Sequence, residues 1–155
     1  MHAIAVIQGP NLNRLGRRRP ERYGHETLAD VTSRLDEFAG ALDMTLCHIQ
    51  SNHEGVLVDW VHEHTDVDAV IVNPAGLTPY GRPLYDAVFD LEVPVAVVHI
   101  TQLYRHYGAS TPDLFKADAD VYLCGLGVFG YSAALVRLHQ LLTGTTRTPP
   151  PTALR

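Results

Sequence analysis

One tyrosine follows a segment of unusual arginine density and is the side chain best suited to chemistry. Four arginines fall within positions 14–19, and Tyr23 comes four residues later. A phenol has a pKa of about 10 and is a poor base near neutral pH. Nearby cations favour the phenolate, so this segment could turn Tyr23 into a general base. The alternative is a solvated basic loop with a packed tyrosine, which composition alone favours.

Polar side chains also stand directly after the apolar runs that are expected to be strands. Asn11 follows the first run, Asn52 the second and Asn73 the third, while His99 ends the fourth. A base, a neighbouring cation, an amide facing a developing oxyanion and an imidazole able to give a proton make a proton-abstraction site. Taken singly, His99 could be a structural histidine, and Asn73 before Pro74 could be a turn residue.

Strands and helices are expected to alternate along the chain. The patterns predict strands at 3–7, 45–49, 69–72, 93–100 and 121–124, and helices at 27–42, 54–64, 80–91 and 129–142. Continuous apolar runs are typical of parallel strands covered on both faces. We therefore predict an α/β fold: a flavodoxin-like, doubly wound, five-stranded parallel sheet with helices on both faces. Ligands bind beyond the carboxyl ends of such strands, where the polar residues would meet.

Length and composition predict one domain. The chain has 155 residues, of which 46% are hydrophobic, enough for a sizeable core. We assign residues 1–143 to a single domain and residues 144–155 to a mobile tail rich in Thr and Pro. Cys47 and Cys124 match no metal-binding spacing, so no metal site is predicted.

Charge and hydropathy narrow the range of partners. The net charge of −5 gives no case for nucleic acid or an anionic membrane surface. The arginines of residues 14–22 suit a small anionic ligand instead. No apolar run approaches the roughly 20 residues that a membrane helix needs, and no signal peptide is recognised. We expect a cytoplasmic protein.

Several motifs agree in order and spacing with one known family. They are GPNLNRLGRRRPERYG at 9–24, QSNHEG at 50–55 with Asp59-Trp60, Asn73-Pro74, Val98-His99-Ile100, and GLG at 125–127 with Gly130-Tyr131. In these motifs the sequence resembles the type II 3-dehydroquinate dehydratases, or type II dehydroquinases, over residues 3–143. The resemblance implies a small-molecule substrate and homo-oligomers in which trimers pack into dodecamers.

The resemblance also implies a reaction, the trans elimination of water from 3-dehydroquinate through an enolate. It implies no metal and no organic cofactor. Tyr23 would take the proton next to the ketone, and Arg18 would keep Tyr23 ionised. Asn11 would hold water against the enolate, and His99 would help the hydroxyl leave.

Substrate-binding residues are implied in the same way. The substrate carboxylate would be held by the side chain of Asn73 and by the backbone N–H groups of Ile100 and Thr101. Thr101 stands where serine is usual and keeps the hydroxyl. Asp86 would reach the site of a neighbouring subunit.

The chain departs from the family at groups that contact the hydroxylated ring. Pro79 stands where the family has a histidine, and Tyr80 adds aromatic surface beside it. Ser110 stands where the family has a second substrate-binding arginine, and Val97 replaces a glutamate that orients the catalytic histidine. A site that hydrogen-bonds hydroxyls discriminates strongly for them, so losing these partners removes that discrimination.

These departures lead us to favour an enolising lyase or cyclase, repurposed for a less polar, carboxylate-bearing ketone in specialised metabolism. A genuine 3-dehydroquinate dehydratase of the shikimate pathway is the first alternative, and a compensating role for Arg105 or His106 would support it. A catalytically silent binding or structural paralogue is the second alternative. The retained Tyr23, Arg18 and Asn11 argue against a silent protein, which has no need for a phenolate base.

Overall fold

Five strands form one sheet in the computed structural model, which describes residues 1–144. The strands are β1 (His2–Gln8), β2 (Met44–Gln50), β3 (Ala69–Asn73), β4 (Val95–His99) and β5 (Val121–Cys124). They lie in the order β2-β1-β3-β4-β5, and each neighbouring pair is parallel. This is the flavodoxin-like order, so the predicted fold class is confirmed. The predicted tail lies, from residue 145 onward, outside the described residues.

Six helices connect or follow the strands within residues 1–144. They are α1 (Pro20–Tyr23), α2 (Leu28–Ala41), α3 (Glu54–Glu63), α4 (Arg82–Phe89), α5 (Leu103–Tyr107) and α6 (Phe129–Thr143). Two 3-10 turns, Leu12–Arg14 and Ala75–Leu77, follow β1 and β3. The four longer helices correspond to the predicted ones. Helices α1 and α5 escape prediction because four or five residues are too few to show an apolar period.

The sheet is covered on both faces by separate apolar clusters. Ile4 and Val6 of β1 belong to the cluster beneath α2 and α6. Ala5 and Ile7 belong to the opposite cluster, beneath α3 and α4. Alternate residues of β1 serve opposite faces because a strand has a two-residue period. The carboxyl ends of the strands are therefore the part of the sheet left open to a ligand.

Two further features concern what the described residues can bind. No helix within residues 1–144 is long and apolar enough to cross a membrane. Over the same range, no three His, Cys, Asp or Glu side chains are grouped to hold a metal ion. The cysteines Cys47 and Cys124 are both free thiols and partly buried.

The loops after β1 and β3 are in close backbone contact at Gly9, so two segments of the candidate site lie side by side. The N–H of Gly9 donates to the carbonyl oxygen of Asn73 at 2.8 Å. A Cβ at position 9 would lie 2.4 Å from the carbonyl oxygen of Pro74. Glycine is required here because the obstacle is backbone and cannot rotate away.

We expect Gly9→Ala to lower the free energy of unfolding by about 2–3 kcal/mol, because the added methyl group must displace the backbone at Pro74. Gly40→Ala is the matched control. Gly40 lies in α2 with open space where its Cβ would be, so alanine should raise stability by about 0.5–1 kcal/mol. Urea unfolding followed by circular dichroism measures both changes. A Gly9→Ala protein as stable as the wild type would contradict the steric argument.

Candidate active site

A cavity of about 430 Å³ lies at the carboxyl ends of β1, β3 and β4. These strands are neighbours in the sheet, so the polar residues that follow them converge. The lining includes nine residues that the sequence predicts for the site: Asn11, Arg18, Tyr23, Asn73, Pro79, Tyr80, His99, Ile100 and Thr101. The sheet topology therefore brings together most of the predicted site.

Three predicted site residues lie outside the cavity lining. Asp86 is on α4, where its carboxylate pairs with Arg82 at 2.8 Å. Arg105 is exposed on α5, and its backbone N–H donates to the side chain of Gln102 at 3.2 Å. Ser110 is exposed in the loop after α5. Within this chain, none of the three faces the space that Tyr23 and His99 share.

The ring of Tyr23 lies close to two guanidinium groups. The Cζ of Arg18 is 5.4 Å from the ring centroid, and the Cζ of Arg22 is 5.3 Å from it. The tyrosine ends α1, a single helical turn that Pro20 starts, and it packs against the core. Position 23 is therefore held by the fold while positive charge is concentrated around it.

Arg22 is a contact of Tyr23 that the motifs in the sequence do not single out. Its guanidinium lies 4.9 Å from the ring centroid of Tyr107 as well, so it contacts two tyrosines. Its Nε and Nη2 atoms are shielded from solvent and meet no hydrogen-bond acceptor within residues 1–144. The adjacency of Arg22 to Tyr23 in the sequence was the available signal.

Asn11 occupies a left-handed backbone conformation, with φ of 70°. Its N–H donates to the Oδ1 of Asn52 at 2.8 Å, and that oxygen also accepts from Gln50 at 3.2 Å. Asparagine tolerates this conformation better than most residues do. The loop after β2 thus fixes the loop after β1 and keeps Asn11 at the cavity.

Asn73 belongs to a buried chain of hydrogen bonds. Its Nδ2 donates to the hydroxyl of Tyr131 at 2.8 Å, and that hydroxyl donates to the Oε1 of Gln8 at 2.7 Å. The Oδ1 of Asn73 accepts from the N–H of Ala75 at 3.1 Å, as in an asparagine turn. Burial raises the pKa of Tyr131, which stays a neutral phenol. The turn and site interpretations of Asn73 are therefore compatible.

His99 is paired with a carboxylate that the sequence analysis did not identify. The Nε2 of His99 lies 2.8 Å from the Oδ2 of Asp113, and the two side chains are 5% and 0% exposed. The same oxygen accepts from the hydroxyl of Tyr122 at 2.8 Å, and the Oδ1 accepts from the N–H of Phe115 at 2.9 Å. The carboxylate is therefore held by three donors.

The electrostatics of this group keep Asp113 ionised. Burial raises the pKa of the Asp113 carboxyl, but the hydrogen bonds from His99 and Tyr122 outweigh it, so the pKa lies below its ordinary value. Burial, together with hydrogen bonds to Tyr104 and Asp113, raises the pKa of Tyr122. An ionised carboxylate can only accept, so Asp113 favours the tautomer of His99 that carries its hydrogen on Nε2.

The turn after β4 places Ile100 and Thr101 in the lining of the cavity. The N–H of Gly125 donates to the carbonyl oxygen of His99 at 3.0 Å. The N–H of Gly127 donates to the carbonyl oxygen of Ile100 at 2.9 Å. Both glycines have positive φ, which allows the loop after β5 to approach in this way. The loop after β5 thus fixes the position of the turn after β4.

Comparison with known proteins agrees with this geometry. A model of the family described as Dehydroquinase class II matches residues 2–139. A catabolic 3-dehydroquinase from Phaeosphaeria nodorum is 40% identical over 134 residues, which are 86% of this chain and 88% of that protein. A 3-dehydroquinate dehydratase from Roseiflexus castenholzii is 42% identical over 150 residues, which are 96% of this chain and 93% of that protein.

A solved structure extends the similarity to the backbone. The type II dehydroquinase from Propionibacterium acnes superposes with a TM-score of 0.84 at 33% identity, covering 90% of this chain and 97% of that chain. The residues matched by the family model include every residue that lines the cavity. By sequence and by structure, the chain belongs to the type II dehydroquinase family of hydro-lyases.

Proposed function

We propose that this protein is a 3-dehydroquinate dehydratase, which removes water from 3-dehydroquinate to give 3-dehydroshikimate. One observation carries the proposal. Tyr23, with Arg18 beside its ring, lines the same cavity as Asn11 and His99. Relatives about 40% identical to the chain bear the names of enzymes acting on this substrate. Among the interpretations of the sequence, the comparisons support this one best.

The proposed elimination moves one proton from the substrate to Tyr23 and one proton from His99 to the departing hydroxyl, which leaves as water. Tyr23 takes the proton next to the ketone as a phenolate, which the guanidiniums of Arg18 and Arg22 stabilise. Asn11 holds a water molecule against the oxygen that becomes negative in the enolate. His99 gives a proton to the departing hydroxyl. Tyrosine, arginine, asparagine and histidine side chains thus account for the charges that develop on the base, the enolate oxygen and the departing hydroxyl.

The substrate carboxylate is proposed to bind at the junction of β3 and β4. Asn73 ends β3, and Ile100 and Thr101 follow β4 at the cavity wall. The hydrogen bond to Tyr131 fixes the amide of Asn73 before substrate arrives. A preformed seat of this kind reduces the ordering cost of binding.

The assembly and the remaining predicted residues belong to the proposal as well. We propose a homo-oligomer, trimeric or dodecameric, in which Asp86 contributes to a neighbouring copy's site. Ser110 and Arg105 lie in an exposed segment close in sequence to the cavity residues Tyr107 and Thr111. Their role in substrate binding stays a prediction, as does a cytoplasmic location.

A second candidate function is the elimination or cyclisation of a less polar, carboxylate-bearing ketone. It is favoured by the wall formed by Pro79 and Tyr80, which line the cavity where the family has a hydroxyl-contacting histidine. Tyr80 is 81% exposed, so its ring leaves apolar surface at the cavity mouth. This interpretation would gain support only from a failure to turn over 3-dehydroquinate.

The first test is turnover of 3-dehydroquinate, followed by the enone absorbance of 3-dehydroshikimate. We expect a kcat on the order of 1–1000 per second for the wild type. Tyr23→Phe should lower kcat by at least about 100-fold, because it removes the general base and leaves the ring in place. Folded wild-type protein without activity would sink the dehydratase proposal. An active Tyr23→Phe protein would instead reject Tyr23 as the base.

The charge beside Tyr23 allows a second, matched comparison. Arg18→Gln should lower kcat by about 10–100-fold, because the guanidinium that stabilises the phenolate is lost. Arg17→Gln removes the same charge from the adjacent, exposed position and should change kcat by less than about twofold. Steady-state kinetics at one ionic strength measures both. Equal losses in the two variants would show a general effect of net charge.

A further inference from the structure

His99 is paired with the carboxylate of Asp113, although the sequence lacks the glutamate expected at position 97. Val97 stands on β4 where the family has a glutamate that orients the catalytic histidine. Val97 is fully buried among apolar residues and offers no hydrogen bond to an imidazole from its side chain. The loop between α5 and β5 brings Asp113 to His99 instead, at 2.8 Å. The carboxylate comes from a different part of the chain.

The position of Asp113 is determined independently of His99. Its Oδ1 accepts from the N–H of Phe115, and Phe115 is fully buried in the core beneath α3 and α4. Its Oδ2 accepts from the hydroxyl of Tyr122 on β5. Two hydrogen bonds thus fix the carboxylate, and the carboxylate in turn fixes the orientation of the imidazole. A group held in this way can orient its partner without moving itself.

A purely structural role is a weaker explanation of this group. Removing a carboxylate and an imidazole from water is costly, and apolar residues fill such a space at least as well. The pair also lies at the cavity, where His99 forms part of the lining. A buried polar pair that faces a site is better explained by the chemistry of that site.

We propose that Asp113 is the positioning residue of His99 and replaces the missing glutamate. Asp113 holds the hydrogen on Nε2, so that Nδ1 is the ring nitrogen left to face the substrate. An imidazole fixed in this way donates from Nδ1 to the departing hydroxyl when it is protonated, and Nε2 stays bonded to Asp113 throughout. The catalytic part of this inference rests on the proposed dehydratase function, whereas the bonding of the pair does not.

The bonding is tested on the wild-type protein without substrate. Magic-angle-spinning ¹⁵N NMR of histidine-labelled protein reports which ring nitrogens carry hydrogen, and a His99→Gln sample assigns the signal. We expect Nε2 of His99 to carry a hydrogen, because the carboxylate of Asp113 lies 2.8 Å from it and can only accept. A neutral His99 with its hydrogen on Nδ1 would overturn the proposal. This result does not depend on catalytic activity.

The catalytic consequence is tested by Asp113→Asn. The amide keeps the shape and the acceptor for Phe115, but its NH₂ group favours a histidine with an unprotonated Nε2. We expect kcat with 3-dehydroquinate to fall about 10–100-fold while KM changes less than about threefold. The NMR signal of His99 should report loss of the Nε2 hydrogen. An unchanged kcat in folded protein would overturn the proposal.

Asp118→Asn is the matched control. Asp118 lies five residues further along the same loop, is exposed, and accepts a hydrogen bond from the hydroxyl of Tyr85 rather than from a site residue. Its kcat should stay within about twofold of the wild type. A comparable loss in both variants would reject a specific role for Asp113. An inactive wild-type protein would contradict only the proposed dehydratase function. The NMR experiment would still test the hydrogen bond between His99 and Asp113.

Discussion

The hydroxyl of Tyr131 joins the three elements on which the site depends. It accepts from Asn73 at the end of β3 and donates to Gln8 at the end of β1, while the ring anchors α6 beneath the sheet. All three side chains are at most 3% exposed. Polar groups buried this deeply need partners, because each unpaired one costs about 1–3 kcal/mol. The strand ends and the helix can therefore shift only together.

The need of buried polar groups for partners also explains the contacts around His99. His99 and Asp113 satisfy each other, and Tyr122 and Phe115 supply the donors that the carboxylate still needs. A buried charge held by three donors is rigid, since every displacement breaks a charge-assisted bond. The cavity thus combines a histidine on β4 that is bonded to a carboxylate with a tyrosine on α1 that lies beside two guanidinium groups. Opposite charge environments for two titratable groups are a general way to separate acid and base roles.

Several features of the fold and site could be predicted from the sequence because they are local. The apolar runs of β3 and β4 predict buried parallel strands, and a parallel sheet then brings Asn11, Asn73 and His99 to one edge. Asp113 could not be predicted in the same way, because it reaches His99 from fourteen residues further along the chain. The only signal was a lone carboxylate before the apolar pair Leu114-Phe115, and this pattern also fits an ordinary turn. Contacts made by irregular segments depend on the packed structure, which a period in the sequence does not encode.

The contact between Asp113 and His99 changes what the loss of a family residue says about the substrate. Counting losses position by position suggests a weakened histidine, because Val97 cannot orient an imidazole. The proposed positioning role, however, needs only a carboxylate at hydrogen-bond distance from the imidazole, whichever strand or loop supplies it. Asp113 meets that requirement at 2.8 Å with its side chain fully buried. The departure at position 97 is therefore weak support for a new substrate, whereas Pro79 and Ser110 stand where the family resemblance implies contacts with the substrate. Any change in specificity should then be sought in recognition of the substrate ring.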